Sequence, residues 1–243
     1  MTFNIKYRLV PILAMLVIAL PWQVSASGEI EIVRRNLASI IPSNLEIGSI
    51  EPSPMSGVYI VSVGNQEMYV YSNGDFIMVG EVYDTIRAVS LGEERKAMRM
   101  SSVIEKIPES EMILMGESQQ RHVTVFTDTD CFYCQKFNKT VPELESRGMQ
   151  VRYLMFPRAG LESDSYREAV SVWCSEDQAR AITIAKSGGV VDPLDCDNPV
   201  AQQYKLGQKL GVRGTPTMIL DNGKMIPGFL TPDQLFAEAG ALN

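Results

Sequence analysis

His122-Val123-Thr124-Val125-Phe126-Thr127, then Asp128-Thr129-Asp130, then Cys131-Phe132-Tyr133-Cys134: the reading of this chain turns on these residues. The first six, rich in β-branched and aromatic side chains, predict a strand. The residues from Cys131 to Leu144 predict a helix, so Cys131 stands where strand gives way to helix. Unpaired N–H groups and the positive end of the helix dipole favour an anion there. The thiolate is the attacking form of cysteine, and a lowered pKa at Cys131 would raise its reactive fraction near neutrality. Cys134 lies one helical turn on and faces back towards Cys131. The spacing implies thiol–disulfide exchange. Cys131 attacks a disulfide of another molecule, and either Cys134 or a substrate thiol resolves the mixed disulfide.

Plainer readings compete. As a structural staple the pair would close a very short loop and constrain little chain entropy. A zinc site of four cysteines calls for two closely spaced pairs, whereas Cys174 and Cys196 are 22 residues apart. A coincidental Cys-x-x-Cys without function is the third. The residues call for no metal and no cofactor. Four cysteines permit three pairings, and arithmetic alone does not choose among them. The short spacing of Cys131 and Cys134 suits exchange, which leaves Cys174 and Cys196 as the natural second pair.

The 243 residues allow one large domain or two small ones, and 45% apolar content suffices for packed cores. A net charge of −7 argues against a nucleic-acid partner, which would call for a basic face. Lys6 and Arg8 precede an apolar run from Leu9 to Leu20, and Val24-Ser25-Ala26 offers small residues before a cut. That layout predicts a secretory signal cleaved after Ala26. The other reading, a membrane anchor, needs roughly 20 apolar residues, and Pro11 interrupts this shorter run. The mature protein is therefore expected to be soluble and outside the cytoplasm. In an oxidising compartment, thiols become disulfides unless something keeps them reduced.

Beyond the signal, apolar spacing from Glu29 to Ile41 predicts a short amphipathic helix stopped by Pro42. Val58–Val63, Met68–Tyr71 and Phe76–Val79, with turns at Gly64-Asn65 and Asn73-Gly74, predict a β-meander. So thin a domain buries little surface by itself, and a partner subunit is expected. Charged residues crowd Leu91 to Ile107, which reads as a connecting helix halted by Pro108; a helix packed on one domain is the alternative. A strand at Val151–Phe156, helices over 163–186 and 199–210, a hairpin about Asp221-Asn222-Gly223 and a helix from Thr231 complete an α/β sandwich layout.

Arg213-Gly214-Thr215-Pro216-Thr217 precedes a strand. On these residues alone an ordinary trans turn is expected at Thr215–Pro216. His122, the only histidine, reads as a surface residue rather than a proton carrier. Asp128 and Asp130 read as turn or cap residues rather than a relay to Cys134. Tyr133 is placed to touch the attacking sulfur or a substrate. The 13 methionines read mainly as core filler, although flexible thioethers also suit a promiscuous cleft. Trp173 reads as packing.

Phe126-Thr127-Asp128…Cys131-Phe132-Tyr133-Cys134, Val151-Arg152-Tyr153-Leu154-Met155-Phe156-Pro157-Arg158, Leu206-Gly207…Leu210-Gly211-Val212…Gly214-Thr215-Pro216 and Asn222-Gly223…Pro227-Gly228 together resemble the DsbC/DsbG family of bacterial periplasmic disulfide isomerases, as does Val82-Tyr83-Asp84. The resemblance runs in order along nearly the whole mature chain. It implies a thioredoxin-like catalytic domain with a helical insertion over 109–243, a small α+β dimerisation domain over 27–90 and a linker helix over 91–108. It implies a cis Thr215–Pro216 bond, whose loop packs beside the cysteines and holds substrate backbone, and a structural Cys174–Cys196 disulfide. It implies a homodimer, misfolded disulfide-containing exported proteins as substrates, and a membrane electron donor of the DsbD type. Two departures bear on redox poise: Phe-Tyr stands between the cysteines where Gly-Tyr is usual, and Asp130 would push the Cys131 thiol up. A monomeric dithiol oxidase and a redox-inert chaperone are the alternative functions; solution size and thiol titration separate them.

Overall fold

The computed structural model describes residues 26–64, 66–117 and 121–240. The expected signal, apart from its last residue, and the turn residue Asn65 lie outside the described residues. The chain divides into two compact units, one up to Gly80 and one from Glu81 onward.

In the first unit, helix α1 (Ala26–Ala38) precedes strands β1 (Ile47–Pro52), β2 (Val58–Val63), β3 (Gln66–Tyr71) and β4 (Ile77–Met78), an antiparallel meander in sequence order. Successive side chains of a strand point to opposite faces, and Tyr59, Val61 and Val63 with Met68 and Val70 share the face against which Val33 and Leu37 of α1 pack. The Tyr59 hydroxyl ties the helix down by donating to Glu29 at 2.7 Å. α1 starts three residues before the expected Glu29 and ends before Ile41, and β1 was not foreseen.

The second unit opens with a small hairpin, β5 (Tyr83–Asp84) and β6 (Val89–Ser90), which leads into helix α2 (Leu91–Ile104). Ser90 caps α2 by accepting the Glu93 N–H. A five-stranded sheet follows, ordered β11-β10-β8-β9-β7 from strands β7 (Ile113–Met115), β8 (Arg121–Thr127), β9 (Met149–Met155), β10 (Thr217–Leu220) and β11 (Met225–Pro227). Only β8 and β9 run parallel. Val123 and Val125, Val151, Tyr153 and Met155, and Met218 and Leu220 face one core. It is closed by α3 (Phe132–Asn138), α4 (Val141–Ser146), α5 (Asp164–Trp173), α6 (Gln178–Lys186) and α8 (Pro232–Gly240). Phe126, Leu154 and Ile219 face the other core, with Ile104 of α2 and Tyr204 and Leu206 of α7 (Val200–Lys209).

Two glycines permit this packing. A Cβ on Gly207 would stand 2.6 Å from the Phe156 ring, so α7 lies directly on that ring. At Gly223 the φ of +80° already favours glycine, and a Cβ would stand 1.9 Å from the Ala97 carbonyl; the β10–β11 turn abuts α2 there. The helix expected to run from Cys131 to Leu144 is two: the Thr140 hydroxyl bonds back to the Phe137 carbonyl, and Pro142, lacking an N–H, begins a new turn. The long helix expected over 163–186 likewise breaks between Trp173 and Gln178, where Asp177 caps α6. Six methionines, Met68, Met112, Met115, Met149, Met155 and Met218, are buried, and Trp173 packs on the larger core.

Candidate active site

β8 delivers Thr127 and Asp128 to the head of α3, and Cys131 is the residue that caps that helix. Both cysteines are free thiols; Cys131 is 3% exposed and Cys134 fully buried. The neighbouring loop brings in Thr215, whose bond to Pro216 is cis. In its protonated form the Cys131 thiol donates to the Thr215 carbonyl at 3.1 Å.

The surroundings favour the ionised form. The Cys131 thiol is brought down from 9.0 to about 5, first by the hydrogen bond from Cys134, then, against the opposing effect of burial, by the Thr215 hydroxyl, the Cys134 N–H and the charge of Arg158. The Thr215 hydroxyl is buried and has no hydrogen-bond partner among the described residues beside the protonated thiol, which leaves it available to the thiolate. Cys134 moves the opposite way: burial first, then its donation to Cys131, pushes its thiol well up. One proton shared between two sulfurs thus stays on the inner one. The net direction at Cys131 is down despite Asp130, whose side chain is exposed.

Asp128 does the turn work expected of it and more. One carboxylate oxygen accepts the Asp130 N–H at 3.1 Å; the other accepts the N–H and Nε of Arg158 at 3.0 and 2.9 Å. Arg158 also donates to the Asp130 carbonyl at 2.6 Å, fixing the approach to Cys131. Phe132 and Tyr133 are 70% and 55% exposed and meet edge-on with centroids 5.4 Å apart, an apolar platform beside the buried sulfur. His122 is half-buried at the far end of β8 from Cys131, and burial lowers its pKa. It takes no part in the site.

Cys174 and Cys196 are bonded, with an S–S distance of 2.01 Å. Arg158, Thr127 and Lys186 are the site residues to which sequence reasoning assigned no role. The first two lie inside stretches that carried the resemblance. Lys186 gave no signal.

A thioredoxin-like sheet, with a reduced Cys-x-x-Cys at the head of a helix and a cis-proline loop against it, defines a thiol–disulfide oxidoreductase. Residues 108–242 match the family model described as a thioredoxin-like domain, and residues 23–91 that of the disulfide bond isomerase protein N-terminal domain. The chain is 35% identical over 193 residues to the thiol:disulfide interchange protein DsbC of Escherichia coli K12, covering 79% of this chain and 80% of the relative. To DsbC of Salmonella typhimurium it is 36% identical over 207 residues, 84% of each. Among solved structures, a disulfide interchange protein from Neisseria gonorrhoeae is 31% identical, with a TM-score of 0.49 over 55% of this chain and 96% of that one. This chain belongs to the DsbC family of thiol:disulfide interchange proteins.

Proposed function

We propose that this protein is a periplasmic disulfide isomerase, with reductase capacity, that rearranges incorrect disulfides in exported proteins. One arrangement carries the reading: Cys131 at the head of α3 against the cis Thr215–Pro216 bond, its thiol brought down while burial keeps the proton on Cys134. The Cys131 thiolate attacks a substrate cystine; one substrate sulfur bonds to Cys131 and the other leaves with the electron pair. If a substrate thiolate then attacks the mixed disulfide, the substrate emerges with a new pairing and the enzyme with no net redox change. If Cys134 attacks first, the substrate is reduced and the enzyme oxidised, so a membrane electron donor of the DsbD type must restore the dithiol. Thr215 and Pro216 hold substrate backbone, and Phe132 with Tyr133 meets apolar side chains of unfolded chains.

The N-terminal domain, over 27–90, serves as a homodimer platform and the helix over 91–108 as connector. Phe76, Met78 and Val79, at and beside the short edge strand β4, are 67%, 45% and 74% exposed, apolar surface that a second copy would cover. The leader through Ala26 directs export; among the described residues no helix is long and apolar enough to cross a membrane.

The test is rescue of a scrambled multi-disulfide substrate. The protein should restore its activity faster than a glutathione control, and Cys131→Ala should match the control. Equal rates for the unaltered protein and the control would remove the isomerase reading.

A further inference from the structure

Lys186 ends α6 yet is only 2% exposed. Its Nζ donates to the Asp128 carbonyl at 3.3 Å, meets Thr127 Oγ1 at 2.6 Å, as donor when charged and as acceptor of the hydroxyl proton when neutral, and lies 5.3 Å from the centre of the Tyr153 ring. Among the described residues no carboxylate lies within ion-pair distance of it; that of Asp128 is engaged by Arg158 and the Asp130 N–H. Burying an amine without a carboxylate is costly. Methionine, similar in length, would fill the position without that cost.

What the lysine gains is a connection to the inner sulfur. The Thr127 hydroxyl that meets Nζ also acts on Cys134, whose pKa it lowers, which places amine, hydroxyl and inner sulfur in sequence. We propose that Lys186 is a positioning residue that draws the proton from Cys134 through the Thr127 hydroxyl as Cys134 resolves the mixed disulfide. This rests on the reading of Cys134 as the resolving thiol.

The step balances within the site. Cys134 Sγ gives its proton to Thr127 Oγ1 while Thr127 passes its own to the Lys186 amine. The Cys134 thiolate bonds to Cys131 Sγ, and the bond from Cys131 to the substrate sulfur breaks, its electron pair leaving with the substrate. The two enzyme cysteines are oxidised, the substrate cystine is reduced, and the ammonium returns its proton to the departing thiolate or to water. Burial lowers the Lys186 pKa, which suits an acceptor, while Cys134, Cys131, Asp128 and Glu168 favour its charged form. Cys131 and Cys134 from α3, Asp128 with Arg158 from the turn, Tyr153 from β9 and Glu168 from α5 are the titratable and charged groups around it.

The experiment uses the reduced full chain and a disulfide-bonded peptide in single turnover, stopped by acid at intervals between pH 5 and 10, with the Cys131–peptide adduct measured by mass. In Lys186→Met and in the near-isosteric Thr127→Val, the pH midpoint for adduct decay should move up, and decay at pH 7 should slow by about 10- to 100-fold. Adduct formation should keep its normal pH profile in both. Either variant, folded and decaying with the unaltered midpoint, overturns the relay. An adduct that fails to decay in the unaltered protein sinks instead the reading of Cys134 as the resolving thiol.

Discussion

The catalytic domain carries two cysteine pairs, and their settings are inverted with respect to exposure. Cys174 and Cys196 are bonded across 22 residues near the surface, where Cys174 ends α5 and Cys196 lies in an exposed loop. That loop is pinned a second time, since the Ser171 hydroxyl accepts the Leu194 N–H. Cys131 and Cys134 are buried, and they are the open pair. Exposure therefore does not set reactivity here. A sulfur supplied with donors and a nearby cation is an anion even when covered, whereas a pair closing a 22-residue separation restrains the chain.

The contrast should be sharpest in Cys134→Ala. Loss of an intramolecular attacking thiol forfeits its effective concentration, so the covalent complex with substrate should persist about 10³-fold longer in millimolar external thiol, as read by trapping on non-reducing gels. Removing the other pair should do the reverse. Cys174→Ser with Cys196→Ser should lower unfolding free energy by about 3 kcal/mol in denaturant titration while exchange is retained. If that double variant lost exchange while folded, the two pairs would not be separable.

A smaller effect distinguishes the pairs by pH. Folding lowers the Cys131 thiol from 9.0 to about 5. A group lowered by folding contributes stability above its unfolded pKa and loses it as pH falls through the folded value. The dithiol form should therefore gain stability as pH rises from about 5 towards 9, relative to Cys131→Ala and to the disulfide form. Below about pH 8 Cys134 adds nothing, being protonated in both states, and above that its raised folded value opposes the gain. Smallest of all, Arg158→Met should raise the Cys131 alkylation midpoint by less than about one unit, because the guanidinium is partly exposed and screened.

The β8 strand and the cysteine turn were legible because periodicity and a three-residue spacing are local. The meander was legible for the same reason, with β1 and the three-residue β7 missed because such short or polar runs carry little pattern. The breaks at Thr140 and Cys174 were hidden inside continuous helical periodicity, although Pro142 and Asp177 marked both. Arg158 meets Asp128 across 30 positions, and Lys186 meets Thr127 across 59. A lysine ending an amphipathic helix has the same local pattern whether it points to water or, as here, under the strand end, so only tertiary packing reveals it. The cis bond at Pro216 was expected from family resemblance and not from the turn residues alone.

The most direct measurement is the pH dependence of alkylation at Cys131 in the fully reduced protein, followed by peptide mass. The rate should rise with a midpoint near pH 5 and be flat through neutrality, with Cys134 unmodified. A rate still climbing through about pH 8.5, as for an ordinary cysteine, would contradict the account.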